Sequence, residues 1–490
     1  MCYSDRVTMF VDALISHSEA EPDRVALTCG DVRYTRREVV ERVGCLAAHM
    51  AELGVRQDST VTISLPNSGE FVIAMFAAWW LGAIPQPVSD RLPATEREAI
   101  IDLAQPALVV GADKDGAGGV PTLSAEELLA ACERDIAPPQ KAMSSVFKIV
   151  TSGGSTGRPK LIKATQPAEV ANLAGFGALL RFPTDGTVLV TGPMSHNAPF
   201  LVATVGLLMG NHVVVMPRFD ASETLRLVVE HRIQWLYLVP TMMSRIWRLP
   251  DDVRLSADMS SIEVAFHMAA PCPPWLKQAW IDWLGPDPVM ELYGGTELQA
   301  MTVITGGEWL EHPGSVGRTV IGEIEVRDED GTPVPTGETG ELWMRRGADQ
   351  PVPYEYVGAT AKSAADGWES LGDMGRVDAE GYVYLSDRLT DMIVVGGSNV
   401  YPAEVEAALD EHPAVRSSCV IGLPDEDLGN APHALVDLVA DVTDDDLRVF
   451  LRERLAPYKV PRSFERVDEP LRDDAGKVRR SALRAARLSA

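Results

Sequence analysis

The chain has 490 residues, enough for several cores, and length alone predicts about three domains or subdomains. Its net charge of -26 argues against a nucleic-acid backbone as partner, because that contact needs clustered Lys and Arg. The six cysteines (Cys2, Cys29, Cys45, Cys132, Cys272, Cys419) lack zinc-knuckle or redox spacing and read as small apolar residues in a reducing compartment. The N-terminus has no signal-peptide pattern. The longest apolar run, Phe71 to Pro85, is too short for a bilayer. A soluble, cytoplasmic protein without membrane insertion is expected.

The first stretch alternates. Apolar residues recur at helical spacing over Arg36 to Leu53, and helices are also predicted at Glu70 to Leu81 and Glu96 to Leu103. Strands are predicted at Val61 to Leu65, Ala83 to Val88, Ala107 to Val110 and Val146 to Val150. A second unit of like size follows, with strands at Thr187 to Thr191, His212 to Met216, Trp235 to Leu238 and Ile262 to Met268. Its helices are predicted at Ser222 to His231 and Trp275 to Trp283. Such alternation argues for layered α/β architecture with parallel pairing. From about Gly314, short strands at Glu323 to Arg327, Gly340 to Arg345 and Gly381 to Leu385 are divided by Gly/Asp/Pro turns, the texture of a small β-rich subdomain. Beyond Arg388 a compact α+β unit is predicted: strands at Met392 to Val395, Ser417 to Ile421 and Ala434 to Ala440, and helices at Pro402 to Glu411 and Asp444 to Leu455. The predicted fold is therefore α/β. A large N-terminal domain, 1–388, holds two layered α/β subdomains and the β-rich one; a small α+β domain, 389–490, follows.

Five segments carry chemistry. After the strand ending at Val150 comes Thr151, then Ser152-Gly153-Gly154-Ser155-Thr156-Gly157-Arg158-Pro159-Lys160. Three glycines permit positive φ and turn N–H groups to one side, a nest for phosphate; hydroxyls and Lys160 add donors and charge. An ordinary Gly/Ser surface loop fits these residues as well. Glu291 to Glu297 joins a strand to Tyr293, Gly294, Gly295, Thr296 and Glu297: an aromatic for a flat base and oxygens for Mg²⁺, or else a tight turn with a solvated glutamate. Asp373, between Gly372 and Gly375, offers two acceptor oxygens that match a vicinal diol, or it is a turn aspartate. Asp387-Arg388, followed by Gly396-Gly397, and Lys477 near the end complete the set.

In order and spacing these segments resemble the adenylate-forming superfamily, over nearly the whole chain. Gly192-Pro193-Met194-Ser195-His196-Asn197, Ala269 to Trp275 and Gly397 to Pro402 look most like its acyl-CoA ligases, including the bile-acid-CoA ligase-like group. The resemblance implies ATP-dependent activation of a carboxylic acid as acyl-AMP, with pyrophosphate release, then transfer to coenzyme A. Thr151 to Lys160 would face the β- and γ-phosphates. Tyr293, with Gly294 and Gly295, would take adenine, Thr296 the phosphate, Glu297 the Mg²⁺, and Asp373 with Arg388 the ribose. Lys477, on a mobile C-terminal domain, would bridge carboxylate and α-phosphate. That domain would then rotate, with Gly396 and Gly397 lining a pantetheine tunnel and His196 at the mouth of the acyl pocket. Phe200, Met268 and Ala269 are expected pocket walls, suited to a bulky hydrophobic or aromatic acid. Thr390 departs from the family's charged hinge residue. The same motifs serve an adenylating enzyme with a carrier-protein or amine acceptor, or one that activates nitrite for diazotisation. A small-molecule acid is the expected partner; a carrier protein and a second copy of the chain are the candidate macromolecular ones.

Overall fold

In a computed structural model, residues 7–111, 119–153, 159–347, 350–388, 391–395, 398–425, 427–473 and 476–488 are described, and of residues 152, 153, 387 and 388 the backbone alone. The expected boundary at 388/389 and the hinge residue Thr390 therefore fall at or outside the described residues.

Two parallel sheets form the body. The smaller orders Ile84–Pro87, Thr60–Ile63, Leu108–Val110 and Thr122–Leu123, all parallel. The larger runs parallel through Val25–Cys29, His212–Val215, Thr187–Val190, Trp235–Leu238, Val264–His267 and Val289–Gly294. Strands Trp235–Leu238 and Val264–His267 are buried throughout, because helices cover both faces of a parallel sheet and leave no polar side. The division in chain order is not kept in space: the hairpin Val25–Cys29 and Val32–Thr35 closes an edge of the second sheet. Helix Gly69–Trp80 is apolar all round and buried; Ser68 caps it by accepting from the Phe71 N–H.

The β-rich part extends the second sheet without a break. Met301–Thr305 and Ser315–Ile321 continue it antiparallel into Tyr382–Arg388, Glu369–Val377, Gly340–Arg345 and Glu323–Arg327. It carries a small core of its own at Val316, Val326, Leu342 and Val383. A third sheet of three strands holds Ile149–Gly153, Pro159–Ala164 and Tyr354–Val357. The ladder at Ile149 starts later than the sequence expects, because Val146 and Phe147 enter the apolar core ahead of it.

The C-terminal unit has a separate sheet (Ser398–Val400, Ile393–Val395, Gly429–Leu438, Val415–Asp425, with Ser463–Arg466) and a separate core at Val400, Val405, Leu409, Val436, Leu447 and Leu451. Among the described residues no helix is long and apolar enough to cross a membrane.

Candidate active site

One cleft of about 2470 Å³ opens between the body and the C-terminal unit. Thr151, Lys160, His196, Tyr293, Gly294, Gly295, Thr296, Glu297, Asp373 and Lys477 all line it, although they are spread over 327 residues from 151 to 477. Ser152 and Gly153 lie on the ladder, opposite Lys160 and Pro159. Gly154, Ser155, Thr156, Gly157, Gly396 and Gly397 are outside the described residues.

The second sheet supplies one wall. Tyr293 donates its phenolic hydrogen to Asp373 Oδ2 at 2.8 Å, across 80 positions of sequence. Asp373 is paired in register with Arg388 on the neighbouring antiparallel strand, so the two come from one rung. A phenol ring and a carboxylate thus share one corner of the cleft, a surface for stacking beside a pair of acceptor oxygens.

Glu297 is buried, 5 % exposed. Its Oε1 accepts from the Tyr356 hydroxyl at 2.5 Å and stands 3.5 Å from Lys160 Nζ, which lies 4.0 Å over the Tyr356 ring. Burial and this bond push the Tyr356 phenol well above its ordinary value, so it stays a donor. A Cβ at Gly295 would come 2.5 Å from Leu371 Cδ1 and 2.8 Å from Glu297 Oε2, so a larger residue would push the ends of both side chains aside, the carboxylate included. Thr151 Oγ1 is buried and has no hydrogen-bond partner among the described residues. No cluster of three or more His, Cys, Asp or Glu that could hold a metal is found among the described residues. A magnesium ion held by one carboxylate together with phosphate oxygens needs no such cluster, so Glu297 fits it.

Lys477 reaches the cleft on a tight turn. Its N–H donates to Asp473 Oδ1 at 2.8 Å, and its carbonyl accepts from the Asp473 N–H at 2.9 Å. Gly476 takes φ +75° and seats the turn on the body: a Cβ there would lie 3.2 Å from Thr241 Oγ1.

Opposite, His196 begins the helix Asn197–Leu208. Met268 and Ala269 line the cleft as expected, Ala269 at φ +78°, a conformation costly for a residue with a Cβ and one that persists chiefly at functional sites. Phe200 is corrected: it is fully buried, turned into the core, and meets the Trp79 ring edge-on at 5.8 Å. Pro199, Leu201 and Val202 form the wall instead.

Two further residues carry no sequence signal. Tyr237 lines the cleft and is 2 % exposed, and its hydroxyl has no partner among the described residues. Its place in an all-apolar strand conceals the polar end. Lys148 is also 2 % exposed; Nζ donates to Asn197 Oδ1 and lies 5.1 Å from the Phe147 ring. Burial drives its ammonium down to about 7, with the Glu297 charge opposing. An amine lowered in the folded state costs nothing above its unfolded pKa. The penalty grows as pH falls toward 7 and is constant below. Lys148→Met is therefore expected to raise the melting temperature at pH 7 by on the order of 5 °C, and by less at pH 9. A gain independent of pH would contradict the burial of a titrating amine.

A family model described as AMP-binding enzyme matches residues 15–348, and one described as AMP-binding enzyme C-terminal domain matches residues 404–477. A 3-[(3aS,4S,7aS)-7a-methyl-1,5-dioxo-octahydro-1H-inden-4-yl]propanoyl:CoA ligase of Rhodococcus jostii (strain RHA1) is 32% identical, covering 94% of this chain and 95% of its own. A feruloyl-CoA synthase of an Amycolatopsis species is 32% identical over 96% and 97%. Among solved structures, o-succinylbenzoate CoA synthetase from Bacillus subtilis with an acyl-adenylate superposes with a TM-score of 0.82, at 26% identity, covering 96% of this chain and 97% of that one. An amide bond synthetase from Marinactinospora thermotolerans gives 0.81 at 25% identity, over 97% and 99%.

Proposed function

The chain belongs to the AMP-binding enzyme family, and on that premise we propose that it joins a bulky, largely apolar carboxylic acid to coenzyme A in two steps on this cleft, using ATP. The observation that carries the proposal is the Tyr293–Asp373 corner facing the same cleft as Lys160, Glu297 and Lys477.

In the first step a carboxylate oxygen of the acid attacks the α-phosphorus of ATP. The bond to the β-phosphate oxygen breaks, and pyrophosphate leaves. Both reactants are anions, so the residues have to offset repulsion and align them. Tyr293 takes adenine and Asp373 the ribose hydroxyls, with Arg388 beside it on the paired strand. Thr151 and Lys160 face the outer phosphates, and Thr296 the reacting one. Magnesium, when bound at Glu297, supplies charge to the phosphate oxygens. Lys477 is a point charge on a long stem, suited to bridging carboxylate and α-phosphate. In the second step the thiol, losing its proton, attacks the acyl carbonyl carbon, and AMP departs with the bonding electrons. Gly396 and Gly397 are assigned to the thiol's approach and His196 to the pocket mouth.

The acyl part faces Phe176, Leu180, Leu201, Val202 and Met268, with the Tyr237 hydroxyl among them. Related enzymes named for o-succinylbenzoate, ferulate and a methyl-dioxo-hydrindane propanoate take cyclic acids with oxygen substituents. This supports an acid of that kind here. Tyr237→Phe is expected to lower kcat/KM for hydroxyl- or keto-bearing acids by about fivefold to tenfold relative to their plain hydrocarbon counterparts, with the KM for ATP unchanged. A uniform change across both sets of acids would argue against that contact.

Pyrophosphate release over a panel of acids and nitrite, with and without coenzyme A and amines, tests the whole reading. Release with apolar cyclic acids, and a thioester only when coenzyme A is present, is the expected result. Release with nitrite alone, or with an acid that then yields an amide and no thioester, would overturn it.

A further inference from the structure

The position of Lys477 depends on how the C-terminal unit is fastened to the body. Arg248 follows the body helix Pro240–Trp247, and its guanidinium reaches across the cleft. Nη2 donates to the Asp410 carbonyl at 3.0 Å and Nη1 to the Val415 carbonyl. Asp410 ends the helix Pro402–Asp410, where backbone carbonyls lack partners within the helix and the macrodipole is negative. A guanidinium answers both needs with two charge-assisted bonds. The described ion pair across the two parts, Arg479–Glu96 at 3.6 Å, is long and largely exposed, and weighs little.

One turn earlier on the same helix stands Glu406, 4 % exposed. Its carboxylate accepts from the Val420 N–H at 2.8 Å, from Arg472 at 2.9 Å and from Arg480 at 2.8 Å on each oxygen. Arg472 also donates to the Gly476 carbonyl at 3.3 Å, and Arg480 to Asp391 at 3.0 Å. The two arginines flank Lys477 in sequence, so one buried carboxylate grips the chain on both sides of it.

We propose that Arg248 and Glu406 are positioning residues for the first step: through helix Pro402–Asp410 they hold Lys477 in the cleft that Tyr293 and Thr296 line. The inference rests on the reading of Lys477 as the adenylation cation. Arg248 fixes the unit against the body, and Glu406 fixes the Lys477 turn against the unit. The contact through Arg248 joins the body to the C-terminal unit, so a rotation of that unit for the second step would break it. Its loss falls on the first step.

The experiment measures both half-reactions for Arg248→Ala, Arg248→Lys, Glu406→Gln and Lys477→Ala: ATP–pyrophosphate exchange with an acid found active, and thioester formation from supplied acyl-AMP and coenzyme A. Arg248→Ala is expected to lower exchange about tenfold or more, to leave the KM for ATP within about twofold, and to keep thioester formation at the parent rate or above it. Arg248→Lys should recover part of the exchange, and Glu406→Gln, which leaves Arg472 and Arg480 short of counter-charge and lowers the melting temperature, should lower exchange while sparing thioester formation. Should Glu406→Gln fail to fold, the Arg248 pair decides. Exchange in Arg248→Ala within twofold of the parent, while Lys477→Ala has lost it, overturns the inference and leaves the functional reading standing. Equal loss of both half-reactions in Arg248→Ala marks a merely structural role and overturns it too. Unchanged exchange in Lys477→Ala removes the reading on which the inference rests.

Discussion

Lys477→Ala is expected to cut acyl-AMP formation by about 10²–10³-fold while thioester formation from supplied acyl-AMP continues near the parent rate. Removing a single preorganised donor at developing charge typically costs that much. The bonds that shape its turn are made by the Lys477 backbone N–H and carbonyl with Asp473, and alanine keeps both. On the proposed reading it brings a positive charge between two anions, a carboxylate and an α-phosphate. The thiol step has no such pair, and on the same reading the lysine leaves for it. ATP–pyrophosphate exchange and coenzyme-A-dependent consumption of synthetic acyl-AMP check the two halves separately. An equal loss in both would assign Lys477 to binding common to the two steps.

Glu297→Gln is expected to lower kcat of the first step by about 10²–10³-fold, and excess magnesium should not restore it. The glutamine keeps the volume and an oxygen that accepts from Tyr356, so shape is conserved and charge is lost. Two effects then combine. On the proposed reading magnesium would lose the carboxylate that holds it, and Lys160, 3.5 Å away, loses its counter-charge while remaining over the Tyr356 ring. Thermal melting distinguishes this from unfolding: the melting temperature should hold within a few degrees, because the bond to Tyr356 survives. Full activity at saturating magnesium would remove Glu297 from the metal's coordination.

The sequence shows this site unevenly, for physical reasons. Tyr293, Thr296 and Glu297 are visible because an aromatic, two glycines, a hydroxyl and an acid directly after an apolar strand form a local pattern, and at Gly295 Leu371 packs within 2.5 Å of where a Cβ would lie. Strand Trp235–Leu238 was legible to the residue, since a short apolar run between polar breaks is what a parallel core strand demands. Helix Asn197–Leu208 was not among the predicted elements. It is buried on all sides, has no polar face and so no 3.6-residue period; the same feature misplaced Phe200 on the pocket wall. The join between the β-rich strands and the larger sheet depends on non-local pairings such as Ser315 with Tyr384, which no local pattern encodes. Tyr356, Arg248 and Glu406 escaped for the same reason. Each acts through a partner 59 to 167 positions distant, and nothing in its own neighbourhood marks it.

On the proposed function, segments far apart in sequence serve one nucleotide. A crystal structure with an acyl-sulfamoyl adenosine, a stable mimic of the acyl-adenylate, is the sharpest test. The adenine ring is expected against Tyr293, both ribose hydroxyls on the Asp373 carboxylate and Lys477 Nζ on the sulfamoyl group. A nucleoside bound elsewhere, or in this cleft with Asp373 and Tyr293 still bonded to each other and both away from it, would overturn the proposal.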